Sequence, residues 1–231
     1  MIDWHSHVLP KMDDGSWSVE ESVAMLDSLA AQGVTTVIAT PHFGADEESV
    51  EAFLQRRESA YQSLTRHMTA EQPRVLCGAE VKYYPGIAKM QELGQLAVQD
   101  TNVLLLEMPM ARWTDYAVKE LVELASTRGL TIVMAHIERY LPFQSRGTVE
   151  WLCANGLLMQ VNATFFERFR TKRQALRMLG AGMIHMIGSD CHNLTSRPPR
   201  LHTAYGLIEK RFGGEFIRQM NEFGHSVLKH E

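Results

Sequence analysis

Short apolar, β-branched runs alternate along this chain with longer stretches whose apolar residues recur at helical spacing, and no Pro- or Ser-rich linker interrupts the alternation. The short runs predict strands near residues 2–7, 34–41, 74–80, 102–107, 130–136, 157–162 and 183–189. Between them the longer stretches predict helices over 18–32, 46–70, 114–128, 147–155, 172–181 and 199–211, with one more from about 214. Gly33, Gly129, Gly156 and Gly182 stand where helices should stop before the next strand, as glycine does just past a helix C-terminus. The repeating unit is therefore βα. Strands joined by helical crossovers run parallel, and seven such units imply one α/β domain, a closed or nearly closed barrel spanning residues 1–231.

Composition narrows the partners. The 231 residues are 45% hydrophobic and 22% charged, ordinary for a globular domain. A net charge of −4 offers no overall positive field for a polyanion, so nucleic acid is a disfavoured partner. Polar residues Asp3 and His5 enter early without a basic and apolar leader, and no stretch approaches the ~20 apolar residues of a membrane span. A cytoplasmic protein without membrane insertion is the expectation. Cys77, Cys153 and Cys191 are odd in number and widely spaced, which speaks against a disulfide framework or a four-cysteine zinc site and for reduced, mostly buried thiols.

Candidate metal ligands fall at the strand ends. His5 and His7 end the first predicted strand, His42 follows the second, Glu80 ends the third, Glu107 the fourth and His136 the fifth, while Asp190 and His192 follow the seventh. In a parallel barrel those ends share one face, where such folds place their active sites. Period-two alternation turns His5 and His7 to one side, and Asp190 and His192 likewise if that strand stays extended. The donors are imidazole and carboxylate without sulfur, which suits Mn, Fe or Zn better than a closed structural zinc site. So rich a set exceeds the needs of one ion, and paired ions roughly 3.5–4 Å apart are the usual device for hydrolysing phosphate esters.

Each residue also has a plainer reading. A lone histidine near a strand end is more often a satisfied polar residue, and His67, His185, His202, His225 and His230 are left in that class. Asp13 and Asp14 before Gly15 could form a turn and cap the helix beginning near Ser18. Arg139 and Arg197 follow His136 and His192 on loops that should overhang the metal face. Their planar forks fit phosphate oxygens in pairs, or they could be spent on a carboxylate such as Glu138. Asn162 ends the sixth strand and could hydrogen-bond a ligand or serve the structure. Met108, Met110, Phe165 and Phe166 are read as loop packing.

Seven segments together carry a resemblance: His5-Ser6-His7 with Met12-Asp13-Asp14-Gly15, Ala39-Thr40-Pro41-His42, Gly78-Ala79-Glu80, Leu105-Leu106-Glu107, Ala135-His136-Ile137-Glu138-Arg139-Tyr140, Ser189-Asp190-Cys191-His192-Asn193, and Arg197-Pro198-Pro199. In this order they resemble the PHP (polymerase and histidinol phosphatase) superfamily, and within it the manganese-dependent protein-tyrosine phosphatases of bacterial capsular and exopolysaccharide clusters. The resemblance spans about residues 1–212. It implies a distorted (β/α)7 TIM-like barrel and a site of two or three ions, Mn first, with His5, His7, Asp14, His42, Glu80, Glu107, His136, Asp190 and His192 as ligands. It further implies that Arg139 and Arg197 bind phosphate, and that the substrate is a phosphotyrosine protein such as a bacterial tyrosine autokinase, with inorganic phosphate as product. The chain departs from that pattern at Phe43-Gly44-Ala45-Asp46 and after Gly224.

The expected chemistry is in-line attack on phosphorus by a hydroxide bridging the metals, with the two arginines stabilising charge. A small-molecule phosphatase of the histidinol-phosphate type is the alternative with the same metal site. A C–N hydrolase, a non-catalytic binding module and a nuclease fit less well. Many of the first carry a modified lysine where Glu107 stands, the second needs no full ligand set, and the third calls for a basic surface.

Overall fold

Every predicted strand forms, but two are interrupted. The computed structural model describes residues 1–229, so His230 lies outside the described residues. The elements are β1 (Ile2–Ser6), α1 (Val19–Ala30), β2 (Thr36–Ala39), β3 (His42–Phe43), α2 (Val50–Thr65), β4 (Arg74–Cys77), β5 (Glu80–Lys82), β6 (Val103–Glu107), α3 (Asp115–Thr127), β7 (Thr131–Met134), α4 (Arg146–Ala154), β8 (Leu158–Asn162), α5 (Thr164–Glu167), α6 (Lys172–Gly180), β9 (Met186–Gly188), α7 (His202–Phe212) and α8 (Gly214–Leu228). The run expected over 34–41 breaks at Thr40-Pro41 and resumes as β3, and the run over 74–80 breaks at Gly78-Ala79 and resumes as β5. Proline has no N–H for the ladder and glycine packs no side chain there. Register survives both breaks, because Thr36 pairs with Arg74 before them and His42 with Glu80 after them. His42 and Glu80 therefore open strands rather than close them.

All pairings are parallel, in the orders β1-β2-β4 and β3-β5-β6-β7-β8-β9. The sheet curls, and β1 meets the segment after β9 through a parallel bridge between Ser6 and Cys191. Backbone bonds from Asp190 N to His5 O (2.8 Å) and from His7 N to Cys191 O (2.9 Å) fix that seam.

Helix ends follow local chemistry. The second helix is shorter than the expected 46–70, since the Ser49 side chain accepts from Ala52 N and sets the start at Val50. Ser18 and Thr114 cap α1 and α3 in the same way. Helix α5 falls where only loop packing of Phe165 and Phe166 is expected, and both rings are buried on it. Met108 is buried as expected, whereas Met110 is mostly exposed and packs no core.

Alternation along the strands divides the core. Val37, Val75, Leu104, Leu106, Ile132, Met134 and Ile187 pack with the helices in the large cluster. Ile2, Trp4, Ile38, Leu76, Leu105, Val133 and Met186 form a second cluster on the opposite, concave face. Helix α8 closes its floor, with Gly224 so near that an added Cβ would lie 3.2 Å from both Ile2 and Trp4. Above that apolar floor the strand positions turn polar.

Candidate metal centre

A bulge starts the site. Pairing of β1 with β2 runs from Asp3–Val37 to Ser6–Ala39, so β1 spends one more residue than its partner over that step. Such an insertion re-aims the side chains beyond it. Ile2 and Trp4 face the concave interior, and after the bulge His5 and His7 join the polar layer above them. Gly188 makes room, since a Cβ there would stand 2.5 Å from the His5 Cβ. Asp190 and His136 have φ of 52° and 31°, a left-handed backbone uncommon for non-glycine residues. The chain past β9 is therefore not extended, yet Asp190 and His192 both reach the cluster.

Glu80 lies at the middle. Its Oε2 is 3.2 Å from His5 Nε2, 3.5 Å from His7 Nε2 and 3.0 Å from His42 Nδ1, and its Oε1 is 2.8 Å from His136 Nε2. Asp190 Oδ1 stands 3.7 Å from His5, 3.6 Å from His7 and 3.7 Å from His192. Glu107 reaches His136 at 3.3 Å, and Asp14 lies between His42 (3.4 Å) and His192 (3.3 Å). All nine residues singled out in the sequence thus meet in one network. Within it, atoms of His7, Asp14, His42 and His192, of His5, His7 and Asp190, and of His42, Glu80 and Glu107 form three groups lying inside 4.8 Å, each able to hold an ion.

Four further residues organise the network. Asp13 forms the expected turn through Gly15 N (2.9 Å), but it also accepts from His42 N (2.9 Å) and holds His7 Nδ1 at 2.8 Å. Gln160 Oε1 accepts from His136 N (2.6 Å) and faces His5 Nδ1 at 3.3 Å, and its Nε2 donates to Asn162. Asn162 in turn donates to Asp190 Oδ2 at 2.7 Å. Asp3 accepts from Ser189 N (2.7 Å) and Ser189 Oγ (2.6 Å) beside Asp190. Such partners fix ring orientation and carboxylate position. The signal for Asp3 and Gln160 was a lone polar residue inside an apolar strand, in Ile2-Asp3-Trp4 and Met159-Gln160-Val161.

Both arginines contact Asp190. Arg139 Nη2 donates to its Oδ2 and Arg197 Nη2 to its Oδ1 at 2.7 Å, while Arg197 Nη1 lies 3.7 Å from Asp14. Their side chains are 32% and 38% exposed. Glu138 is not the partner of Arg139; it accepts from Asn162 N at 3.3 Å, and its burial pushes the carboxyl up to about 7. His67, His185 and His202 bond elsewhere, as expected.

The charges balance closely. Burial opposes a charge on His7 and His42, yet hydrogen bonds to Asp13 and Glu80 for the first, and to Glu80 for the second, hold each at about 9. Burial likewise opposes ionisation of Asp190, but His5, His7, Arg139 and Arg197 keep it well below the usual carboxylate range. His192 goes the other way, lowered to about 4 by burial and by the charges of His7 and Arg197. Its buried Nε2 has no hydrogen-bond partner among the described residues and faces Asp14 Oδ1 off hydrogen-bond geometry. A neutral imidazole nitrogen aimed at carboxylate oxygens fits a divalent cation, as does a donor set without sulfur.

Fold and site together define the class, a TIM-like α/β protein with a candidate metal centre of imidazoles and carboxylates on one edge of a curled parallel sheet. The chain belongs to the CpsB/CapC family of capsular polysaccharide synthesis, whose model matches residues 1–224. It is 32% identical to the tyrosine-protein phosphatase CpsB of Streptococcus pneumoniae over 95% of this chain and 94% of that one. Crystal structures of YwqE from Bacillus subtilis and CpsB from S. pneumoniae, described as metal-dependent tyrosine phosphatases, match with a TM-score of 0.84 at 28% identity over 99% of this chain and 94% of that one. A histidinol phosphate phosphatase from Lactococcus lactis shares the fold alone, with a TM-score of 0.56 at 12% identity over 91% of this chain and 93% of that one.

Proposed function

We propose that this protein is a metal-dependent protein-tyrosine phosphatase that hydrolyses phosphotyrosine on a bacterial tyrosine autokinase in polysaccharide biosynthesis, releasing inorganic phosphate. The carrying observation is one network in which nine donors meet and two arginines reach the same Asp190 from the exposed side. His5, His7, Asp14, His42, Glu80, Glu107, His136, Asp190 and His192 would hold two or three cations, Mn first and Fe or Zn as alternatives. Bound there, the cations supply a water-derived nucleophile at neutral pH and charge to offset that of the phosphate.

The chain's own residues do the rest. Each guanidinium spends one donor on Asp190 and keeps others for the oxygens of an incoming phosphate. Because Asp190 already fixes their direction, the forks need little reorganisation as charge develops in the transition state. Asp13 and Gln160 keep His7 and His5 turned toward the centre. A tyrosyl phenol, with a pKa of about 10, leaves more readily than a serine alkoxide and relies less on a general acid. No helix among the described residues is long and apolar enough to cross a membrane.

Steady-state kinetics with Mn supplied test the substrate class. We expect kcat/KM for phosphotyrosine peptides to exceed that for phosphoserine peptides and for histidinol phosphate at least tenfold, about 1.4 kcal/mol of transition-state binding. Histidinol phosphate as the best substrate would replace this reading with a small-molecule phosphatase.

A further inference from the structure

One surface remains unused by the chemistry above. Residues 168–177 read Arg-Phe-Arg-Thr-Lys-Arg-Gln-Ala-Leu-Arg, which is five cations and no acid. The whole chain carries −4, so the remainder without these five carries −9. Arg168, Arg170, Arg173 and Arg177 are exposed and Lys172 half-buried. Among the described residues the surface ion pairs form elsewhere, on Arg56, Lys82 and Arg218. Phe169 at the tip is 96% exposed.

Local stability does not account for this arrangement. Lys172 and Arg173 occupy the first turn of α6, which has no acidic residue there, and cations at a helix N-terminus oppose its dipole. A ring exposed to water gains nothing from burial. Residues that break such local rules without compensation mark candidate function.

The patch lies near the metal centre. Asn162, which bonds Asp190, ends β8, and the short helix α5 carries the chain directly to Arg168. Arg168 stands six positions after Asn162, so their Cα atoms lie at most ~20 Å apart, the span of about six extended peptide residues. Thr171 Oγ1 donates to Phe165 O at 2.7 Å and Lys172 N to Arg168 O at 2.9 Å, so the cationic turn is tied back to α5.

Resting on the phosphatase reading, we propose that Arg168, Phe169, Arg170, Lys172 and Arg173 form a docking surface for an acidic segment of the phosphoprotein substrate, within about six residues of the phosphotyrosine. Asp and Glu side chains of that segment meet the cations, and its apolar atoms cover Phe169. The surface adds affinity for protein substrates and leaves a small aryl phosphate untouched.

The test uses two phosphotyrosine peptides that differ only in flanking Asp/Glu against Asn/Gln, with phenyl phosphate as control and Mn present. Wild-type protein should show a KM at least fivefold lower for the acidic peptide, a preference that shrinks as salt rises from 50 to 300 mM. The triple substitution Arg168→Ser, Arg170→Ser and Arg173→Ser should erase the preference while kcat/KM on phenyl phosphate stays unchanged. Fluorescence anisotropy should show the acidic peptide without phosphate binding wild type and not the variant. That binding reports on the patch even if no aryl phosphate is hydrolysed, the result that would sink the phosphatase reading itself. Equal KM values in wild type, a preference kept by the variant, or binding to anionic lipid vesicles with peptide binding and kinetics unaltered by the substitutions would each overturn the proposal.

Discussion

Asp190 faces imidazoles on one side and guanidinia on the other, and the same carboxylate contacts His5, His7, His192, Arg139 and Arg197. Substitutions should therefore separate holding metal from holding phosphate. His136→Ala removes a ring that touches both Glu80 and Glu107, and Asp190→Ala removes the shared carboxylate. Both variants should lose bound metal and rate together. Arg139→Ala should keep the metals and lose only a preorganised donor, about 2–4 kcal/mol of transition-state stabilisation, or roughly 30- to 1,000-fold in kcat/KM. Metal content by mass spectrometry beside steady-state rates checks both halves. Near wild-type kcat/KM in Arg139→Ala would remove that residue from the phosphate site.

At the level of elements, the seam between β1 and β9 decides where His5 points. Gly188 accepts the His5 side chain so closely that a methyl group would stand 2.5 Å from its Cβ and 2.9 Å from its backbone N. Gly188→Ala must push the two strands apart, a cost of about 1–3 kcal/mol for overpacking, or roughly 2–12 °C in Tm for a chain of this size. Metal affinity should weaken with it. The control is Gly206→Ala on α7, where an added Cβ meets nothing within 4 Å and Tm should hold or rise slightly. An unchanged Tm in Gly188→Ala would refute the close seam. The positions of the strands were legible because apolar runs and helical spacing differ plainly, and eight of the nine expected ligands could be named from strand ends, whereas Asp14, in the loop after β1, came only with the family resemblance. The β1 bulge was not legible, since no Gly or Pro marks Ile2-Asp3-Trp4-His5-Ser6. Nor was the left-handed backbone at His136 and Asp190, which non-glycine residues seldom adopt. Helix α5 is a four-residue turn, too short to show a period. Asp13 was visible as a turn residue, but its bonds to His7 and His42 depend on closure across 29 positions of sequence for the latter.

Over the whole molecule, an apolar concave floor sits under a polar layer, and helix α8 shuts the end opposite the site. The expected ligands and the two arginines gather at the other edge, the edge from which the proposed reaction would take its substrate, although the chain as a whole is acidic. Divalent metal is the requirement on which every step of the account depends. The direct measurement is hydrolysis of one phosphotyrosine peptide by enzyme as purified, after thorough chelation and after Mn is restored, with metal counted per chain in each sample. At least two ions per chain are expected in the active samples, with loss of nearly all activity on chelation and its return with Mn. A demetallated sample that kept full activity would contradict it.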